Sequence, residues 1–459
     1  MAAIPQVARD VTAVGLDIGT NLIKVVEVRS SRGSIHLLNV GIRPTPPEVI
    51  SNGVIVEPQG LGLAVKGLLQ QQGIRTRAAV ASVAGQSSLV VRPIQVPKMT
   101  RSELSETMRW EVERHIPFAA SEVIMDYEPL QDPDELPEEA QNMDVLLAVA
   151  QEDLITGYIE TLQQAGLEPQ ALDIEALAAE RSLIDLDVGD AGYRDTVALV
   201  NVGSTTTEIT IIRNGLIAFT RPIPLAGESL TNAVSEGLGR DVNEAERLKK
   251  QMGEVFLDAP PPAAEPAPAP PPEAEAPEAA PPEAAEAEEG EEGPVFDLSA
   301  ELGKEMPTER RAGPAPEEPS EPAPEQVFDV SAEAEQPAEE AEPPAGEAGP
   351  PAPVGQPQRV FQAMQPALVE LVTEIRRSLE YYTTQQAGAT VDRIILYGGT
   401  ARMPRLDRFI SREVGLPVEL GNPLKHVASL PAQFTKRYLE EIGCLLPVAM
   451  GLAIRDILE

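Results

Sequence analysis

The sequence predicts an α/β protein of two similar lobes facing each other across a cleft, interrupted by one long unfolded insertion. Three observations carry this expectation. β-rich and helix-patterned segments alternate from about residue 11 to 252 and resume after 358. One hairpin pattern occurs twice. VGLDIGTN at 14–21 aligns without a gap on the stretch around Asn201, so that Asp17 meets Asn201 and Gly19 meets Gly203. In each copy an apolar strand delivers a polar residue, a glycine turn, small hydroxyl or amide side chains and a second β run, which points to two lobes of one design. Finally, residues 254–358 hold 27 Asp and Glu against 3 Lys and Arg, and 25 of the 45 prolines. That window carries −24 of the formal net charge of −37. It has too little apolar surface to offset ordering entropy and reads as a disordered, partly polyproline, self-repelling insertion.

The elements follow in order. Val11–Thr20, LIKVVEVRS and IHLLNVGIRP read as three strands, followed by a helix from about Pro58 to Gln72. AAVASVAG and SSLVVRPIQVP are strands, and RSELSETMRWEVERHI (101–116) is a helix that Ser102 can cap. MDYEPL and MDVLLAVAQ are strands, and a helix over 152–165 ends at Gly166. A strand then runs to Ile174, and a helix opens at Glu175. After the hairpin LVNVGSTTTEITII (199–212), one long helix is expected from Gly227 to Met252. Beyond the insertion, Val360–Gln385 is helical, VDRIILYGG is a strand running into a glycine turn, and Pro404–Val414 is helical. The apolar run at 442–454 is shorter than the ~20 residues of a membrane span. It contains Pro447 and reads as a buried core helix.

Composition excludes several classes. An acidic chain lacks the clustered Lys and Arg that nucleic-acid phosphates require. A single cysteine, Cys444, forms no intramolecular disulfide and reads as inert in its apolar run. His36, His115 and His426 are too far apart in sequence to suggest a histidine metal centre. MAAIPQVARD lacks the basic start and apolar core of a signal peptide. The expected location is the cytosol. Within the insertion VFDLSAE (295–301) recurs as VFDVSAE (327–333). This is either residual low complexity or a pair of short docking motifs whose tethering raises effective concentration.

The two hairpins suit a nucleotide. Tight glycine turns let backbone N–H groups approach phosphates. Gly19 and Gly203 supply the turns, and Thr20, Asn21, Ser204, Thr205 and Thr206 supply donors. Lys24 stands on the next strand within reach of a β- or γ-phosphate. Asp17 is placed to hold Mg²⁺ through water, since that ion takes few protein oxygens and keeps several waters. A third glycine turn, LYGGTARMP (396–404), could pass close to an adenosine.

Together DIGT, VGSTT and GGTARMP, in that order, resemble the actin-like (ribonuclease H-like) nucleotide fold. RWEVERHIPFAASEVIMDYEPL (109–130), with GESLTNAV, EAERLKKQMG, EIRRSLEYY and GLPVEL, resembles more narrowly the PilM family of type IV pilus assembly, relatives of the cell-division protein FtsA. The resemblance covers about residues 11–252 and 359–458. It implies ATP and Mg²⁺ as ligands. Asp17, Gly19, Thr20, Asn21 and Lys24 match the first phosphate motif. Gly203, Ser204, Thr205 and Thr206 match the second, and Gly398, Gly399, Thr400 and Met403 match the adenosine turn. Glu228, Glu246 and Lys249 lie on segments flanking ribose and adenine, and Glu175 matches a connecting segment that often supplies an acid near the metal.

The implied partition is 11–84 for the first lobe core, 85–170 for an extra subdomain of FtsA type and 171–196 for the return to that lobe. The second lobe takes 197–253 and 359–459, the latter with a return helix, and 254–358 is the insertion. The implied partners are the cytoplasmic tail peptide of a PilN-like protein, bound in a groove that the extra subdomain helps to form, and other pilus platform proteins. The protein would be recruited to the cytosolic face of the inner membrane without a span of its own, and the resemblance admits a homodimer or filament.

One position departs from the pattern. Asn201 stands where the superfamily usually places an aspartate. A neutral amide weakens metal organisation and general-base chemistry, so ATP binding with slow or no hydrolysis is expected. The alternative is that Asp17 and Glu175 suffice. An FtsA-like polymerising, membrane-associated division protein is a competing function, disfavoured because no amphipathic anchor follows RDILE. A sugar-kinase-type phosphotransferase is weaker still, because 85–170 shows no catalytic aspartate in a recognisable setting. By residue type Trp110 and Phe118 read as core or groove-lining, and His115 as a partly buried helix residue.

Overall fold

The duplicated hairpin is the seed of two five-stranded sheets with one topology. The computed structural model describes residues 11–257 and 355–458, apart from 33, 85–87, 116–118, 120, 121, 135, 138, 189–192, 194 and 387. The expectations for 258–354, for Phe118 and for the His115 side chain therefore fall outside the described residues. In the first lobe β1 (Thr12–Ile18), β2 (Leu22–Ser31) and β3 (Ser34–Pro44) form an antiparallel meander. A small hairpin follows, β4 (Ile50–Ser51) with β5 (Val54–Ile55), then α1 (Pro58–Gln71) and β6 (Ala78–Val83), parallel to β1.

The chain next builds a separate three-stranded sheet. Its elements are β7 (Leu89–Pro97), α2 (Arg101–His115), β8 (Val123–Pro129) and β9 (Asn142–Gln151), with spatial order β7-β9-β8. It returns through α3 (Glu152–Gln164) to β10 (Glu168–Ile174), which lies parallel to β6. The first sheet thus reads β10-β6-β1-β2-β3.

α4 (Glu175–Glu180) passes through a π turn at Arg181–Asp185 into α5 (Leu186–Val188) and leads to the second lobe. There β11 (Thr196–Val202), β12 (Thr207–Arg213) and β13 (Leu216–Ile223) repeat the meander. After α6 (Gly227–Leu238), α7 (Val242–Met252) and α8 (Gln356–Gln385), β14 (Arg393–Tyr397) pairs parallel to β11. α9 (Leu406–Val414) and β15 (Val418–Leu420) complete the order β13-β12-β11-β14-β15. α10 (Lys436–Ile442) and α11 (Pro447–Ala453) end the fold. Even the irregularities match. With Asp17 aligned on Asn201, the register shift at Glu27/Val28 falls on that at Ile211/Ile212.

Alternation along the strands decides what packs where, because successive side chains point to opposite faces. Val25 joins α1 and α3 in one core with Leu61, Val65, Leu154 and Leu162, while its neighbour Val26 packs on the other face with Ala449, Met450 and Ala453 of α11. Val200, Ile209 and Ile211 of the second sheet lie under Leu230 and Val234 of α6 and Phe361 and Met364 of α8. The run at 442–454 is thus core, as expected, and Cys444 is a buried free thiol. No helix among the described residues is long and apolar enough to cross a membrane.

Four local expectations change. The helix expected over Gly227–Met252 is two helices. Gly239 adopts φ +60° at the end of α6, and the Asp241 carboxylate accepts from the Glu244 N–H to start α7. Thr100, not Ser102, caps α2: its hydroxyl accepts from the Glu103 N–H, and the Glu103 carboxylate accepts from the Thr100 N–H at 2.9 Å, a reciprocal capping box. α3, which the sequence placed in the extra subdomain of 85–170, buries Leu154, Tyr158 and Leu162 in the first lobe's core. Residues 254–257, expected to open the insertion, pack on the second lobe, where Val255 is fully buried.

Candidate functional site

The two hairpin turns close in the same way. The Gly19 N–H donates to Leu22 O at 3.0 Å, and the Gly203 N–H donates to Thr206 O at 3.0 Å. Thr45 braces the first turn, donating its hydroxyl to Gly19 O at 2.7 Å and its N–H to Asn21 O at 3.0 Å. The second turn is braced from three sides. The Gly227 and Glu228 N–H groups at the start of α6 donate to Gly203 O and Ser204 O, and the Thr400 hydroxyl donates to Gly203 O at 2.8 Å. Between the turns lies a cleft of about 720 Å³.

The hairpin register decides which side chains face one another on its floor. In the first lobe Asp17 stands opposite Lys24 across the β1/β2 ladder, and their side chains form an ion pair of 2.6 Å with Asp17 almost fully buried. In the second lobe the same ladder positions hold Asn201 and Glu208. The carboxylate–ammonium pair has become an amide–carboxylate pair. Asn201 donates from Nδ2 to Glu175 Oε2 at a long 3.5 Å.

The cleft floor therefore gathers Asp17, Glu175 and Glu208 near Lys24. Burial, then repulsion by Asp17 and Glu208, pushes the Glu175 carboxyl up to about 8, against a weaker pull from Lys24. Burial pushes Glu208 up to about 7. Near neutral pH Glu175 is mostly protonated and Glu208 about half so, while Asp17 and Lys24 form an ion pair. Such a floor presents less negative charge to an incoming triphosphate than three ionised carboxylates would.

A continuous polar chain forms the second-lobe wall. From Thr400 and Gly203 it passes through Gly227 to Lys249, whose ammonium donates to Gly227 O and to the Thr231 hydroxyl, each at 2.7 Å. Lys249 also pairs with Glu246 at 2.6 Å, and Thr231 bonds the same carboxylate. Burial draws the Lys249 pKa down, opposed by its bonds to Glu246.

The two glycines of the third turn differ. Gly398 has φ +98°, and a Cβ there would fall 2.4 Å from Asn201 Oδ1, so the fold itself requires glycine. At Gly399 a Cβ would meet nothing within 4 Å. That position opens onto free space, as a surface that receives a planar ligand must.

These observations test the fit of a nucleotide and Mg²⁺. Two backbone turns, an open third turn and a floor of carboxylates with one lysine suit a triphosphate whose cation is shared between protein and phosphates. Among the described residues no three His, Cys, Asp or Glu side chains form a metal cage of their own. A cation bound here would be held by Asp17 as a single ligand or through water, with Glu175 and Glu208 lining the same cleft.

Of the residues singled out from sequence, Asp17, Gly19, Thr20, Asn21, Lys24, Glu175, Asn201, Gly203, Ser204, Thr205, Thr206, Glu246, Lys249, Gly398, Gly399, Thr400 and Met403 line this cleft. Glu228 does not. It sits at the N-terminal turn of α6, where a carboxylate is favoured by the helix dipole, and accepts from the Ser204 hydroxyl at 3.2 Å. Glu208 was missed by sequence reasoning, although carrying the repeat alignment seven residues past Asn201 places it opposite Lys24 of the first copy. Of the two readings for Trp110, core or groove-lining, the structure excludes the core. Leu104 and Met108 of α2 enter the subdomain core, and Trp110 is left 74% exposed.

Comparison with known proteins bears on the family and the fold. A family model described as type IV pilus assembly protein PilM matches residues 15–255, and one described as cell division protein FtsA matches residues 198–436. The cell division protein FtsA of Bacillus subtilis is 29% identical over 266 residues, 53% of this chain and 59% of that protein. The FtsA of Streptococcus pneumoniae is 25% identical over 270 residues, 54% of this chain and 57% of that protein. The chain thus spans less than two thirds of the length of these curated relatives. A solved structure of a PilM-PilN type IV pilus biogenesis complex aligns over 98% of this chain and 99% of its own, at 25% identity and a TM-score of 0.69. With the two-lobed sheets and the extra subdomain in place, and the PilM model matched over more than half its length, this chain belongs to the PilM family of actin-like type IV pilus assembly proteins, related to FtsA.

Proposed function

We propose that this protein is a nucleotide-dependent assembly adaptor. It holds ATP with Mg²⁺ between the two hairpins, hydrolyses it slowly or not at all, and offers its extra subdomain to the cytoplasmic tail peptide of a PilN-like membrane protein. It acts with other pilus platform proteins on the cytosolic face of the inner membrane. The observation that carries the reading is the register: Asp17 faces Lys24 in one lobe, whereas Asn201 faces Glu208 in the other. The first pair can grip phosphate and cation. The second lacks the ionised carboxylate that would organise a metal-bound or attacking water, because Asn201 is neutral and burial favours the protonated form of Glu208. Likeness to a solved PilM-PilN complex supports the partner, and the exposed Trp110 supplies an aromatic surface on the subdomain.

The test of the nucleotide half is a single-turnover assay. Protein loaded with stoichiometric ATP and Mg²⁺ is quenched over hours, and its bound nucleotide is identified. Intact ATP is expected. ADP within minutes would return a hydrolytic cycle through Asp17 and Glu175. No retained nucleotide would sink the reading of both hairpins. The peptide half uses the chain's single tryptophan. A PilN-like tail peptide should shift Trp110 emission, and Trp110→Ala should weaken its binding about tenfold or more, as loss of an aromatic anchor does. Unchanged affinity in that variant would remove this surface from the proposal.

A further inference from the structure

Where the second lobe ends its first part, the chain lays a short segment into a groove of that lobe. Val255 is fully buried, and its N–H donates to Pro404 O at 3.1 Å. The Phe256 ring lies 5.7 Å from that of Phe361, with the Arg405 guanidinium 5.4 Å from its centroid. Arg405 pairs with Glu254, and the Arg412 guanidinium donates to Leu257 O. The groove therefore reads a Val-Phe pair between two arginines. One of its groups is unsatisfied: Arg405 Nε is buried without an acceptor.

The same Val-Phe pair opens both repeats of the insertion, Val295-Phe296-Asp297 and Val327-Phe328-Asp329. Laid on Val255-Phe256-Leu257, each repeat puts an aspartate where the resident segment has Leu257. Arg412 donates to the main-chain oxygen at that position, and the arginine with the unmet donor lies over the Phe256 ring one residue before it. A repeat thus keeps the Val-Phe pair and moves the carboxylate from before it to after it: Pro294 and Gln326 stand where the resident segment has Glu254, and Asp297 and Asp329 where it has Leu257, within the chain stretch that the two arginines bind by charge-assisted bonds.

We infer that this groove is a receptor for Val-Phe-Asp motifs and that its ligand is the repeat of a second copy of this chain, exchanged for the resident Val255-Phe256. Each chain carries two repeats but one groove. A repeat serving only its own chain would need no duplicate, whereas two tethered motifs join neighbouring copies with an avidity neither has alone.

The test uses the full chain and a labelled peptide of residues 293–301. Phe256→Ala, which loosens the resident segment, should bind the peptide at least tenfold more tightly than the wild type, and adding Arg412→Glu should abolish that binding. In sedimentation, Phe256→Ala should self-associate with concentration, and Phe256→Ala/Phe296→Ala/Phe328→Ala should not. Equal peptide binding by wild type and Phe256→Ala, or binding indifferent to Arg412→Glu, would overturn the groove as receptor. Tight peptide binding by a chain that stays monomeric at every concentration would overturn the second copy as its source. If Phe256→Ala does not fold, saturating peptide on the wild type should lower hydrogen-exchange protection across 253–257, and unchanged protection there would contradict the exchange.

Discussion

The two lobes share a strand order, a turn bond and even a register shift, yet differ at two facing positions on the cleft floor. Asp17 and Lys24 make a short, buried ion pair, whereas Asn201 and Glu208 occupy the same rungs with one carboxyl and one amide. One lobe carries a buried charge pair on its cleft floor. The other carries the braced turn without an ionised acid at the matching position. The difference teaches that backbone geometry and chemistry can separate within a duplicated fold. In both lobes the glycine N–H closes the turn, while the side chains that face one another on the floor differ.

The largest test of this asymmetry is Lys24→Ala. It leaves Asp17 buried without its partner and should destabilise the protein by about 3 kcal/mol, the lower end for an uncompensated buried charge, as read by urea unfolding. Removal of Glu208, which has no such cationic partner on its rung, should cost far less. If the two variants unfold alike, the lobes are not electrostatically different. Next is Gly399→Val. Because a Cβ there has no neighbour within 4 Å, unfolding should change little while ATP affinity falls at least tenfold. A comparable loss of stability would mean that the turn is structural and not an open ligand surface.

The protonation of the floor gives a pH test. The folded-state pKa values of Glu175 and Glu208 are raised to about 8 and about 7, from an ordinary 4.5. A raised acid contributes stability that is present below pH 4.5 and is lost as pH rises through the folded value. The ligand-free protein should therefore lose stability between about pH 5 and 8 from these two groups. The negative charge of Mg²⁺·ATP disfavours their ionised forms, so binding should take up protons and weaken as pH rises from 6 to 8. Calorimetry in two buffers of different ionisation enthalpy measures the uptake, and Glu208→Gln should reduce it. Proton release on binding would contradict this account. The smallest effect is expected from Thr400→Val, which removes one bond from the third turn to Gly203 O and should cost about 1 kcal/mol. An unchanged thermal midpoint would show that this brace is dispensable.

Much of this site could be seen in the sequence because the hairpin is local: a strand, a glycine turn and a strand fix which residues meet. Asp17, Lys24 and Asn201 fall where the repeat puts them. Glu208 escaped notice because it opens a β run, TEITII, in which an acid looks like a strand's solvent face. Only the register shows it facing the cleft. Gly239 and Asp241 together signalled a helix end and a helix start, but the helical pattern on both sides concealed the break. Trp110 resisted reading for a different reason. Burial of an aromatic residue is a statistical tendency, and the face of α2 that enters the core is decided by Leu104 and Met108, long-range contacts that composition does not contain.

The most direct measurement of the central claim is single-turnover hydrolysis by Asn201→Asp beside the wild type, with Mg²⁺ and stoichiometric ATP. Restoring the acid to the second lobe should raise the hydrolysis rate at least tenfold while ATP affinity changes little, because the turns that hold phosphate are untouched. An unchanged rate, or a wild type that already clears its ATP within minutes, would contradict the claim that the amide at 201 separates binding from chemistry.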